Sequence, residues 1–162
     1  MKIALTVAAL GLAVPGIAAA QDLRFSMAST QECFASEGTY DECVGASALR
    51  CMEENDGGYS TYGMGACYEY ERAAWDAELN RIYQLAMERA REMDAENGSY
   101  APSQAEALRA MQRAWIPFRD RKCDYERSLW AGGTGGGPAT VSCLMYETAR
   151  QVQTLNLTFP EG

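Results

Sequence analysis

Three groups of residues have the types and spacing that chemistry uses: six cysteines, several paired carboxylates and a run of glycines. Histidine is absent, so the usual general base and commonest metal ligand is missing. A nucleophile activated through a Ser–His or Cys–His relay is therefore excluded. Paired carboxylates such as Glu69/Glu71 or Asp76/Glu78 are what a glycoside hydrolase would need, but nothing in their spacing puts a cleft between them. The glycines from Gly132 to Gly137 follow no strand, precede no Lys-Ser/Thr and lack the G-x-G-x-x-G register. They read as a connector between helices and not as a phosphate cradle. No cysteines have C-x-x-C spacing, which speaks against zinc. The residues point to a binding or structural protein with no catalytic residues, no cofactor and no metal.

The cysteines belong to a different chemistry. Lys2, the apolar and small run from Ile3 to Val14, the break at Pro15-Gly16 and Ala18-Ala-Ala20 before Gln21 form the pattern of a cleaved export signal over residues 1–20. The apolar run is too short to span a bilayer. No cysteine stands near the cleavage site to carry a lipid, so no stable membrane anchor is expected after cleavage. The mature chain, residues 21–162, is one domain's worth of sequence, periplasmic or secreted. Cys33, Cys43, Cys51, Cys67, Cys123 and Cys143 all lie in it, an even set that reads as a disulfide framework in an oxidising compartment.

The elements holding these residues are helical. Residues 27–55 read as two short helices about a turn at Gly38-Thr39. Asp41 is the expected cap of the second, and Val44, Ala48, Leu49 and Met52 its apolar side. Over residues 65–94, Trp75, Leu79, Ile82, Tyr83, Ala86, Ala90 and Met93 recur at three and four, a single apolar stripe. Ser103-Gln-Ala-Glu106 is a capping box opening a helix that ends near Trp130, with Leu108, Met111, Trp115 and Phe118 as its stripe and Pro117 as an expected kink. A last helix covers residues 140–155, with Leu144, Thr148, Val152 and Leu155 inward, before a loose tail. No strand is indicated. The fold class is all-α: a small disulfide-stapled helical domain of four to five helices built on a long antiparallel helical hairpin, with Trp75 and Trp115 as core anchors.

Cys123 and Cys143 flank the glycine run at the end of one helix and the start of the next, so a Cys123–Cys143 bond closes that loop. Cys43 and Cys51, on one helix, stand about 12 Å apart at 1.5 Å per residue, beyond a disulfide's reach. Turn symmetry favours Cys33–Cys43 and Cys51–Cys67; the crossed set, Cys33–Cys51 with Cys43–Cys67, stays open.

Charge is uneven. From Gln21 to Glu71 there are ten Asp/Glu against Arg24 and Arg50; from Arg72 onward twelve face eleven Lys/Arg. An acidic first lobe disfavours nucleic acid and anionic lipid and steers a cationic partner toward itself. Tyr59, Tyr62, Tyr68 and Tyr70 crowd the same region with Glu53, Glu54 and Asp56. Tyrosine supplies contact area at low entropic cost, so these seven are the candidate partner-binding residues. Arg119 and Asp120 have a structural reading in which the arginine stem lies on the core and its guanidinium forks onto Asp76 or Glu71 of the neighbouring helix. Asn80 and Tyr83 are expected as buried hydrogen-bond formers.

Two motifs carry a resemblance. Glu71-Arg-Ala-Ala-Trp75-Asp76 leading into Leu79-Asn80-x-x-Tyr83, and Trp115, Arg119-Asp120 and Cys123 followed by Gly132-Gly-Thr134, Cys143 and Arg150, resemble the signature of the LprI-like family of small bacterial envelope domains. The resemblance covers roughly residues 30–155, agrees with the Cys123–Cys143 pairing, and implies a helical core at whose core and cysteine positions these motif residues sit. It also implies the family's named activity, lysozyme inhibition, with a cationic lysozyme as the protein partner. The competing expectation is a non-enzymatic periplasmic adaptor; a carboxylate-dependent cell-wall hydrolase is the third.

Overall fold

The computed structural model describes residues 23–158; the segment read as an export signal lies outside them. The described chain is all-α, running α1 (Ala28–Ala35), a single turn α2 (Tyr40–Cys43), α3 (Ala46–Glu54), α4 (Thr61–Asn97), a 3-10 turn (Gly98–Tyr100), α5 (Gln104–Ser128) and α6 (Gly136–Thr158). Five of these helices have eight residues or more, and no strand occurs among the described residues.

The second short helix expected from the sequence is broken into α2 and α3. Its cap is Thr39 and not Asp41: the Glu42 carboxylate accepts from the Thr39 N–H at 2.9 Å and its hydroxyl at 2.7 Å. Gly45, at φ 94°, turns the chain left-handed, and a new helix starts there. Leu49 faces solvent instead of the apolar side.

The helix α4 begins earlier than its apolar period indicates, because the Ser60 hydroxyl accepts from the Gly63 N–H at 3.0 Å and caps it. Cys67, Glu71, Trp75, Leu79, Ile82, Ala86 and Ala90 form its buried stripe. Asn80, expected inside, is exposed and donates to Asp76 at 3.4 Å, while Tyr83 packs partly buried against the core.

The helix packed most extensively on α4 is α6 and not α5. Met145, Ala149, Val152 and Leu155 of α6 are fully or almost fully buried and take the place the sequence assigned to α5's stripe. The helix α5 runs uninterrupted through Pro117 and buries only Ala105, Leu108 and Cys123. Trp115 is partly buried, whereas Met111 and Phe118 face solvent, Phe118 at 60% exposure. Part of the glycine connector is not loop at all: Gly136, Gly137 and Pro138 form the first turn of α6, where proline's missing N–H costs nothing.

Ser103 caps α5 by accepting from the Glu106 N–H at 3.1 Å. The reciprocal group is Asp94 of α4 and not Glu106: its carboxylate accepts from the Ser103 hydroxyl (2.7 Å), the Gln104 N–H (2.6 Å) and the Ala105 N–H (3.2 Å). The Ser103 hydroxyl first, and then the Gln104 N–H, hold this carboxyl below its ordinary value. The unfolded chain binds that proton more readily. The latch is therefore whole above the ordinary carboxylate pKa of about 3.9 and is lost as pH falls through the lower folded value. Asp94→Asn is expected to lower the melting temperature at about pH 7, with the gap from wild type closing toward about pH 2. A gap of equal size at both would show that the charge of Asp94 plays no part.

Three disulfides tie these elements. Cys33–Cys43 joins α1 to α2, Cys51–Cys67 joins α3 to α4, and Cys123–Cys143 joins α5 to α6, with Cα–Cα distances of 5.3, 5.7 and 5.5 Å.

Candidate binding surface

The junction of α3 and α4 is tied by a disulfide, side-chain hydrogen bonds and close glycine contacts. Cys51–Cys67 closes it. Inside that ring, Asn55 donates from Nδ2 to the carbonyls of Cys51 (2.8 Å) and Arg24 (2.9 Å), and its Oδ1 accepts from the Arg24 N–H at 2.9 Å. The Ser60 hydroxyl donates to the Gly57 carbonyl at 2.6 Å. Gly58 and Gly63 have a steric purpose: a Cβ on Gly58 would run into the Met52 carbonyl, and one on Gly63 into that of Gly57. The loop backbone thus lies directly on the last turn of α3 and the first of α4, which only glycine permits.

From this support Tyr59 and Tyr62 project into solvent, at 58% and 61% exposure. The four candidate tyrosines do not act together. Tyr70, also exposed, has its ring tilted against Phe25, centroids 5.4 Å apart, and Tyr68 packs partly buried against the core. The three candidate carboxylates are likewise uneven. Glu54 pairs with Arg50 at 2.7 Å and Glu53 lies 3.7 Å from the same guanidinium. Asp56 is exposed and has no ion-pair partner among the described residues.

The motif residues sit elsewhere, and one of them has an environment the sequence did not indicate. Glu71 is fully buried. Its carboxylate accepts from the Thr30 hydroxyl (3.1 Å), the Gly45 N–H (2.8 Å), the Ala48 N–H (2.7 Å) and Trp75 Nε1–H (3.2 Å). It therefore joins α1, the start of α3 and α4. Thr30 and Ser47, which complete this cluster through the Thr30 N–H to Ser47 Oγ (3.0 Å) and the Ser47 N–H to Thr30 Oγ1 (3.1 Å), gave no signal in the sequence. Phe34 and Tyr40 pack around Trp75 at ring distances of 6.2 and 6.0 Å. The Tyr40 hydroxyl donates to the Ala149 carbonyl, and burial pushes its pKa well above 10.

Arg119 reaches neither Asp76 nor Glu71. It pairs with its own neighbour Asp120 at 2.8 Å and lies over the Trp115 ring, 4.9 Å from the centroid. An ion pair that does cross between helices, from α5 to α6, is Lys122–Glu147 at 2.6 Å, with Arg150 on the same Glu147 oxygen at 2.8 Å. Glu147 is almost fully buried; an isolated glutamate on an amphipathic helix carries no mark of that.

The paired carboxylates offer no acid/base couple. Glu71 is sealed, Glu69 is held by Arg72 at 2.5 Å, and Glu78 by Arg81 at 2.8 Å. No cluster of three potential metal ligands occurs among the described residues.

Fold and surface together define a disulfide-stapled, all-α protein in which Tyr59 and Tyr62 are exposed beside the Cys51–Cys67 bridge. Residues 51–155 match the family described as Lysozyme inhibitor LprI, and the chain belongs to that family. It is also 31% identical over 99 residues to an uncharacterized protein of Rhizobium meliloti, an alignment covering 59% of this chain and 71% of the relative. No solved structure matches. The disulfides and the family fit an extracytoplasmic protein, and no helix among the described residues is long and apolar enough to cross a membrane.

Proposed function

We propose that this protein is exported by cleavage after Ala20 and that residues 21–162, as a single domain, block a cationic muramidase in the periplasm or outside the cell. The observation that carries this reading is the preorganised loop. Tyr59 and Tyr62 are held out on a backbone fixed by a disulfide and by glycine contacts, so little order is lost when a partner binds. The acidic lobe supplies long-range attraction, and the tyrosines supply contact area in the enzyme's cleft. The inhibition is steric and electrostatic, with no chemical step.

The test is lysis of a peptidoglycan suspension by a c-type lysozyme, with and without the oxidised protein. Dose-dependent protection is expected, weakening as salt is raised from about 50 to 300 mM because exposed charges are screened. Tyr59→Ala should raise the half-inhibitory concentration about tenfold or more without moving the melting temperature. Absence of protection at large molar excess would remove this reading for that enzyme class. It would favour the second one, an envelope adaptor, for which the exposed residues Met111, Phe118 and Tyr125, seven apart on α5, are the supporting observation.

A further inference from the structure

The helix α5 turns one side to α4 and α6, where Ala105, Leu108 and Cys123 are buried. Its other side is exposed and ordered in rows of residues seven apart. One row is charged and its signs alternate: Glu106, Arg113, Asp120, Arg127. Beside it runs an apolar row, Met111, Phe118 and Tyr125, all exposed. Between the two rows the first half of the helix carries small residues, Ala107, Ala110 and Ala114.

Seven residues rise about 10 Å, so members of the charged row cannot pair with one another. Glu106, Arg113 and Arg127 have no ion-pair partner elsewhere among the described residues. Asp120 is held by Arg119, but both of those hydrogen bonds end on Oδ1. Its side chain is half-exposed, and Oδ2 is open to a second cation. A row that reads minus, plus, minus, plus reads plus, minus, plus, minus from the other end. It is the complement of itself reversed. A partner of one sign, an acidic segment or a basic one, satisfies only half of such a row and is repelled by the other half.

We propose that two copies of this protein pair through α5, antiparallel, about a two-fold axis near Ile116. Glu106 then faces Arg127 of the second copy, and Arg113 faces its Asp120, each pair made twice by symmetry. On the other edge Met111 packs beside Phe118 of the second copy, as positions flanking the seam do in paired helices. The alanines between the rows let the helix axes approach. Arg121 and Asp124, paired with each other at 3.5 Å, lie against the alanines of the second copy, large over small. A parallel copy matches the signs only when staggered by seven residues, which leaves both ends unmatched and closes no dimer. The pairing is independent of the muramidase reading.

Charge reversal tests the register. In sedimentation equilibrium the oxidised protein should pass from monomer to dimer between about 5 µM and 1 mM, with a dissociation constant of about 100 µM, because one helix pair is smaller than a standard interface. Arg113→Glu sets carboxylate against carboxylate, and Asp120→Arg sets guanidinium against guanidinium. Each alone should raise the dissociation constant about tenfold or more. Mixed in equal amounts, the two variants should associate within about threefold of wild type, because each supplies the charge the other lacks. Phe118→Ala should weaken association about tenfold through the apolar row. All these positions except the paired Asp120 are free of intrachain ion pairs, so melting temperatures should stay within about 2 °C of wild type. If Asp120→Arg melts lower, Glu106→Arg and Arg127→Glu form a second couple that obeys the same rule. A protein still monomeric at about 1 mM would overturn the proposal and return the apolar row to the adaptor reading. So would a dimer that the reversals leave unchanged, or a mixture that fails to restore association.

Discussion

Glu71→Ala is expected to lower the free energy of unfolding by about 4 kcal/mol, and Glu71→Gln by about 2–3 kcal/mol. The carboxylate is fully buried with four donors aimed at it and no cation beside it. Two of those donors are the Gly45 and Ala48 N–H groups at the start of α3, where the helix dipole also favours a negative charge. Alanine leaves them all unsatisfied in a closed space, and each buried orphan costs about 1–3 kcal/mol. Glutamine keeps the shape, but its amide NH₂ would face other N–H groups, so only one oxygen still accepts. Against a total of about 5–15 kcal/mol for a domain, the alanine variant is close to unfolding at 37 °C. Urea unfolding followed by tryptophan fluorescence reads the effect directly, because Trp75 donates to this same carboxylate. A loss below about 1 kcal/mol for alanine would mean that water or a rearranged α3 replaces the carboxylate.

Removing Cys123–Cys143 by paired alanine substitution is the second large effect, at about 3 kcal/mol or about 10 °C in melting temperature. The bond closes a loop with a sequence separation of 20, which gives the chain-entropy figure. The structure adds a reason for the effect to be localised. Beyond Leu108, Cys123 is the one buried residue of α5, so little other burial holds this half of the helix once the bond is gone. The second half of α5 should open on its own. In hydrogen exchange, amides between Arg119 and Ser128 are expected to lose protection while those of α4 around Leu79 and Ile82 keep most of theirs. Uniform loss along all three long helices would show instead that α5 unfolds only with the whole domain.

Much of the fold was legible because it is written in periodicity. The stripe from Trp75 to Ala90 dictated the buried face of α4, and glycines and caps marked most helix ends within a turn or two. Helix pairing was not legible. The stripes of α5 and α6 are both apolar on one side, and sequence proximity favoured α5 as the partner of α4. The smaller residues of α6, with Ala149 between Met145 and Val152, allow the closer approach. The polar interior was hidden for a related reason. Whether Arg119 reaches across to Glu71 or folds back onto Trp115 depends on which helix stands opposite, and Glu71 was already occupied by Thr30, Gly45 and Ala48. Those three partners also lie before residue 51, where the match to the family begins. A family-motif carboxylate thus helps fasten α1 and the start of α3 to the family core. Of the candidate surface, the sequence identified the segment but not how each tyrosine sits: the core claims Tyr68, and Phe25 packs on the ring of Tyr70, which keeps part of its surface exposed.

The length of α4 gives the molecule two independent ends. Its 37 residues rise about 55 Å at 1.5 Å each. Tyr59 and Tyr62 stand at its start, and the Asp94 latch and the Gly98–Tyr100 turn stand at its finish. Tyr100 is the most exposed aromatic residue described. A fluorophore, an affinity tag or a surface tether attached there sits a full helix length from the face that would meet an enzyme. The protein can therefore be immobilised or watched from its far end while its business end stays free in solution.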